Sequence, residues 1–202
     1  MVEGGTARFV SGSAMFSTTD RDESGGARIK ASMEWGTPQE LFDGLNERFG
    51  PFELDAAASD VNHKCERYFT AEDDALTQDC NAEKVWLNPP FSANVGAWID
   101  KAAREIEWGN CGQVWVLVPA RTDTKWFHES VLPNADDIYF LKGRLTYERW
   151  NDDGERIKSK PAPFPSMLIN LGGGGCSVHV MQMSRQGEAV EPMYMPREST
   201  LE

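Results

Sequence analysis

Cysteine is scarce in this chain. Only Cys65, Cys80, Cys111 and Cys176 occur among 202 residues, and no two of them stand in a C-x-x-C spacing. That argues against a thiolate zinc site and against a disulfide framework. No apolar run approaches the roughly 20 residues that span a bilayer, and the amino terminus lacks the charged, apolar and small-residue succession of a secretory signal. A cytoplasmic protein without membrane contact is expected. Positive charge is also short: 20 Lys and Arg stand against 32 Asp and Glu, a formal net charge of −12. A polyanion-binding chain usually carries a basic excess. The acidic balance therefore counts against a nucleic-acid substrate, unless the few positive residues gather on one face. No internal repeat is present.

The length predicts one domain with tails, a monomer by default. Residues 1–33 are rich in Gly, Ser, Thr and charge with no period, and read as a disordered arm. Residues 34–183 read as the ordered domain and 184–202 as a flexible tail. Thr37, Pro38 and Glu40 read as an N-cap, a first helical position and a completed capping box. Leu41, Phe42, Leu45 and Phe49 then share one helical face, which Gly50-Pro51 ends. Phe52-Glu53-Leu54 is a short strand candidate, followed by Asp55 and three alanines, a run that reads either as a helix start capped by Asp or as small residues letting a cofactor approach the backbone. Ser92 is placed to cap a helix with Val95, Ile99, Ala102 and Ile106 at helical spacing. Gln113–Val118, Asp137–Leu141 and Met167–Leu171 read as buried strands. Trp126, Phe127 and Val131 suggest a helix, and Ser177–Met183 a hairpin arm beside Met167–Leu171. Residues 145–160 read as an exposed loop or hairpin. Strands alternating with helices predict a parallel-type α/β sheet.

The chemistry concentrates in Lys84-Val85-Trp86-Leu87-Asn88-Pro89-Pro90-Phe91. Val85–Leu87 can end a buried strand, and two consecutive prolines stop it. Asn88, preceding proline, is held extended. A stiff loop at the carboxyl end of a strand then presents an amide, bare carbonyls and an aromatic ring, where open α/β sheets bind ligands. An exocyclic amine is a poor nucleophile because its lone pair is delocalised into the ring. The Asn88 carboxamide oxygen and the Pro89 carbonyl, accepting its two hydrogens, would favour a localised lone pair. Phe91 can stack on a base swung out of a duplex. The alternative is a rigid turn with a packed Phe. No cysteine follows a proline, which argues against a Pro-Cys nucleophile of the C5-cytosine methyltransferase kind.

From Trp35 to Leu171 the chain resembles the phage-type DNA N6-adenine methyltransferase family, related to the Dam enzymes. The resemblance rests on an ordered set: Thr37-Pro38, Phe52–Ser59, Asp73-Asp74-Ala75-Leu76, Trp86–Phe91, Leu117–Thr124 with Lys125-Trp126-Phe127, and Leu141–Arg144. It implies a compact Rossmann-like class I S-adenosylmethionine-dependent methyltransferase sheet with a C-terminal β-hairpin. It also implies S-adenosylmethionine as cofactor, no metal, double-stranded DNA as partner and, for a phage-encoded enzyme, the host cytoplasm as its place. By the same resemblance Asn88, Pro89, Pro90 and Phe91 form the catalytic loop. Asp55, Ala56 and Ala57 stand at the cofactor motif, and Asp74 stands where an acid accepts from the cofactor's adenine. Trp35, Thr37 and Pro38 lie where a segment closes over the methionine end.

The chain departs from the family pattern in three ways. Alanine and serine replace the usual glycines after Asp55. The stretch from Asp55 to Asp74 is short, leaving Asp60, Asn62 or Asp73 to hold the ribose. No separate target-recognition domain is present, so DNA contact falls to Arg121, Lys125, Lys142 and Arg144 in the 121–125 loop and the 142–160 segment. Two other readings stay open: an amino-methyltransferase acting on RNA or on protein glutamine, and a non-catalytic binding module of the same fold.

Overall fold

The computed structural model describes residues 35–91, 94–151, 154–174, 177–183 and 189–190; the arm, most of the tail, Ser92 and Cys176 lie outside them. Among the described residues, ten strands and three α-helices follow in order: α1 (Gln39–Phe49), β1 (Leu54–Asp55), β2 (Arg67–Tyr68), β3 (Ala82–Leu87), α2 (Val95–Glu107), β4 (Cys111–Pro119), α3 (Leu132–Asn134), β5 (Asp137–Leu141), β6 (Arg149–Trp150), β7 (Arg156–Ile157), β8 (Ser166–Leu171), β9 (Ser177–Met183) and β10 (Ala189–Val190). A π-helical turn, Phe127–Val131, leads into α3.

Eight strands form one mixed sheet in the order β10-β9-β5-β8-β4-β3-β1-β2. β2, β1, β3 and β4 run parallel. β8 enters antiparallel between β4 and β5, and β9 pairs parallel with β5. The expected hairpin between Met167–Leu171 and Ser177–Met183 is therefore not formed: β5 stands between the two strands. The terminal antiparallel pair is instead β9 with β10. Gly172 and Gly174 adopt φ of 86° and 68° after β8, and the Asp136 carboxylate accepts the N–H groups of Gly172 and Gly173, which lets the chain turn away.

The period-two alternation of the central strands divides the core. Val85, Leu87, Val114, Val116 and Val118 face α2, meeting Val95, Ile99 and Ala102. Trp86, Trp115 and Leu117 face the other way, onto Leu41, Phe42 and Leu45 of α1. Trp86 is fully buried and meets Phe42 and Phe52 at ring-centroid separations of 5.5 Å. Two helical layers thus fix the central strands, and the loops at the carboxyl ends of β1, β3, β4 and β5 gather on one edge.

The start of α1 corrects the capping-box expectation. Pro38 occupies the N-cap, and no side chain of the Thr37–Glu40 segment caps the helix. The Gln39 N–H instead donates to the Glu148 carboxylate at 3.3 Å, from 109 residues away. A buried carboxylate beside the positive end of the helix makes the better cap. The 145–160 stretch is also not simply exposed, since Tyr147 and Glu148 are buried and Tyr147 shares a 2.9 Å hydrogen bond with Ser166.

Candidate active site

A cavity of about 230 Å³ opens at the carboxyl ends of β1 and β3. Its floor is the backbone after β1: Ala56, Ala57 and Ala58, whose methyl groups leave the chain approachable. The Ala56 N–H bonds the Trp86 carbonyl at 2.9 Å and the Ala58 N–H bonds the Phe69 carbonyl at 2.8 Å, so this floor is tied to its neighbours on both sides. Thr70, Ala71, Asp74 and Ala75 form one wall, Asn88, Pro89 and Pro90 the opposite one, and Trp35, Asn62 and Trp98 complete the lining. Trp98 of α2 was not singled out from the sequence; it sits one residue from Ile99 on the helical stripe, the only signal that could have found it.

Asp55 does not line this cavity. It is buried beneath the floor, where its carboxylate accepts the N–H groups of Ala57 at 3.3 Å and Lys64 at 3.0 Å. Burial pushes its carboxyl up to about 6, against the opposing pull of those two N–H groups and the Lys64 and His63 charges. The residue shapes the floor from below. Asp74 is on the cavity with an exposed carboxylate and a φ of 50°. Of the three candidates for a ribose contact, only Asn62 faces the cavity. The Asp60 carboxylate takes the Tyr68 hydroxyl at 3.1 Å. The Thr70 N–H and hydroxyl bond Asp73 at 2.7 and 2.8 Å and hold its carboxyl below the usual range.

At the Asn88 loop the geometry is more specific. The Asn88 amide donates to the main-chain carbonyl of Trp35 at 2.5 Å. That bond orients the carboxamide, leaving its oxygen buried with no hydrogen-bond partner among the described residues. The Asn62 side-chain oxygen and the Thr37 hydroxyl are likewise buried and unpartnered. Buried polar atoms of this kind cost about 1–3 kcal/mol each, and two of them bound one cavity. Thr37 is 2 % exposed and, like Pro38, does not line the cavity; only Trp35 of that segment does.

Phe91 joins an aromatic cluster. Its ring lies 5.6 Å edge-on from Tyr147 and 5.7 Å from Phe164, while Trp35 meets the same two rings at 5.7 and 5.4 Å. The Arg149 guanidinium sits 5.5 Å over the Trp35 ring. Tyr147 and Phe164 were absent from the sequence-based site, because loop residues so far from Phe91 in the chain carry no local signal. Arg121 follows β4, and Lys142 and Arg144 follow β5; all three are exposed on the same sheet edge as Asn88 and outside the cavity. Lys125 is exposed and paired to Glu129 at 3.4 Å. Cys65 offers no thiolate at neutral pH, since burial and the Asp55 charge push its thiol up to about 12.

Residues 28–171 match the family described as DNA N-6-adenine-methyltransferase (Dam). The chain belongs to this family. A DNA N-6-adenine-methyltransferase of Escherichia phage T1 is 32 % identical over 167 residues, covering 80 % of this chain and 68 % of that one. One of Haemophilus phage HP1 is 29 % identical over 136 residues, covering 67 % of this chain and 76 % of that one. Among solved structures, the Type IIL restriction-modification enzyme MmeI in complex with DNA matches at 14 % identity and a TM-score of 0.39, over 74 % of this chain and 23 % of the larger one. The matched range of the family begins inside the 1–33 stretch and ends on the last residue of β8.

Proposed function

We propose that this chain carries out its family's reaction, methylation of adenine N6 in DNA, with the cavity holding S-adenosylmethionine and the Asn88–Phe91 loop receiving the base. The observation that carries the reading is the Asn88 carboxamide, clamped through its nitrogen to Trp35 with its oxygen buried and unpartnered. An acceptor fixed in that way suits an amine that must give up hydrogen-bond donors.

The cavity fits the cofactor's chemistry. Alanine floor residues allow close approach, the open Asp74 carboxylate suits an adenine amino group, and the unpartnered Asn62 oxygen suits a ribose hydroxyl. Trp35 would cover the methionine end, with Thr37 and Pro38 fixing its position. Asp55 would act by holding the floor. When bound, S-adenosylmethionine supplies an electrophilic methyl group. Asn88 and the Pro89 carbonyl then orient the target amine in line with it and draw on its hydrogens, and Phe91 supports the base within the aromatic cluster. No covalent protein intermediate or metal is needed. The antiparallel β8 between β4 and β5 supports the reading of a Rossmann-like class I sheet, with residues 34–183 as the methyltransferase domain. Arg121, Lys125, Lys142 and Arg144 supply the positive face for double-stranded DNA that the acidic total lacks.

Transfer of labelled methyl groups to duplex DNA, ribosomal RNA and a soluble protein fraction tests the substrate class. Label in duplex DNA as N6-methyladenine is expected. Label confined to RNA or protein would replace this reading with that of an amino-methyltransferase acting on RNA or on protein glutamine.

A further inference from the structure

We infer that Gln78 and Lys101, neither of which lines the cavity, position the wall that carries Asp74. The inference rests on the cofactor reading of that cavity. The wall, from Thr70 to Ala75, has no strand or helix of its own and is mostly exposed, and its Asp74 backbone is in the left-handed region. Such a segment needs outside support to keep one shape.

A continuous line of contacts supplies it. The Asp73 carboxylate accepts from Thr70, as described. The Asp73 carbonyl accepts the Gln78 side-chain amide at 2.8 Å, and the Gln78 carbonyl accepts the Lys101 ammonium at 2.7 Å. Lys101 is paired with Glu105 one helical turn along α2, and Glu105 is fully buried. The second Glu105 oxygen accepts the Cys80 N–H at 2.8 Å. From the other side, Arg67 of β2 donates to the carbonyls of Cys80 and Asn81. The chain at Gln78–Asn81 is thus clamped between α2 and the edge strand, and the Gln78 side chain passes that constraint back to Asp73.

A buried Lys–Glu pair is a poor contributor to the core, since its desolvation offsets most of its attraction. Here the Lys101 ammonium and the second Glu105 oxygen also bond two main-chain groups of the segment that follows the wall. That use accounts for an ion pair on the helix face turned toward this segment.

Titration calorimetry of S-adenosylmethionine into the full chain tests the inference, using the parent, Asp74→Ala, Gln78→Ala and Gln78→Glu. Gln78 is exposed, so its truncation leaves the fold intact. Loss of one neutral hydrogen bond should weaken binding about 3- to 10-fold in both Gln78 variants. The melting temperature should hold, amide exchange should quicken at residues 70–76, and the KM for cofactor should rise with kcat and the KM for DNA unchanged. Affinity within twofold of the parent in either Gln78 variant overturns the inference, as does a loss that tracks a lowered melting temperature. A parent that binds no cofactor, or an Asp74→Ala variant that binds it as well as the parent does, sinks the cofactor reading itself.

Discussion

The side-chain amide of Asn88 is held by the main-chain carbonyl of Trp35, 53 residues earlier in the chain, at 2.5 Å. The bond ties the Asn88 loop to the segment that leads into α1 and fixes which end of the carboxamide faces the cavity. Asn88→Ala should keep the fold, because Pro89 and Pro90 still define the turn, and should leave cofactor affinity within a few-fold of the parent. Methyl transfer should fall on the order of 100- to 1,000-fold. Asn88→Asp should fare no better, since it replaces the donor to Trp35 with an oxygen facing a carbonyl. Single-turnover transfer at saturating cofactor measures both; parent-like rates in Asn88→Ala would reduce the loop to a turn.

Glu148 joins three parts of the molecule. Its carboxylate accepts Lys64 at 3.1 Å and Arg156 at 2.9 Å as well as the first N–H of α1, and the Lys64 and Glu148 side chains are 5 % and 6 % exposed. Glu148→Ala would leave the Lys64 ammonium in a nearly dry site with only the neutral Gln39 side-chain oxygen, 3.0 Å away, as hydrogen-bond acceptor, and would uncap the helix. A loss of about 3–5 kcal/mol in unfolding free energy is expected from breaking such a pair. A denaturant midpoint matching the parent's would show that Lys64 finds another partner.

Asp55 gives stability a pH dependence of unusual sign for a carboxylate. Its folded value of about 6 lies above the ordinary 3.8. Its favourable contribution is therefore complete below about pH 3.8 and is lost as the pH rises through 6. Relative to Asp55→Asn, which cannot ionise, the parent should lose roughly 2–3 kcal/mol of stability between pH 3.5 and 7. Urea unfolding of both proteins across that range measures the difference, and a constant gap would show that Asp55 is solvated.

Arg144 follows β5 on the edge that holds Asn88. Replacing it with alanine should weaken DNA binding uniformly across sequences and lower the slope of log affinity against log salt by about one. Affinity and slope equal to the parent's would move the basic face elsewhere.

The parts legible in the sequence are those set by neighbours along the chain. The apolar run at Gln113–Val118 could only be a buried strand, and Asn88-Pro89-Pro90 could only be a stiff strand end. The Thr-x-x-Glu pattern at Thr37–Glu40 failed because a capping box is a local competitor. It lost to Glu148, a carboxylate delivered by tertiary structure, and Thr37 was buried instead. The family resemblance puts Asp55 at the cofactor motif together with the alanines, yet its side chain is buried under the floor they form. The place of β8 was hidden for a further reason: an apolar strand does not encode which two edges it will join.

That place has a consequence for biosynthesis. β4 and β5 share no pairing; each is bonded to β8, which is made after both. While the ribosome is still short of Ser166, the β1–β4 portion and β5 each present a long apolar edge with open main-chain groups, the surface on which nascent chains stick to one another. The last strand of the family's matched range acts as a late-arriving zip, and a polypeptide released before Leu171 would leave the outer edge of β4 and both edges of β5 for chaperones to guard.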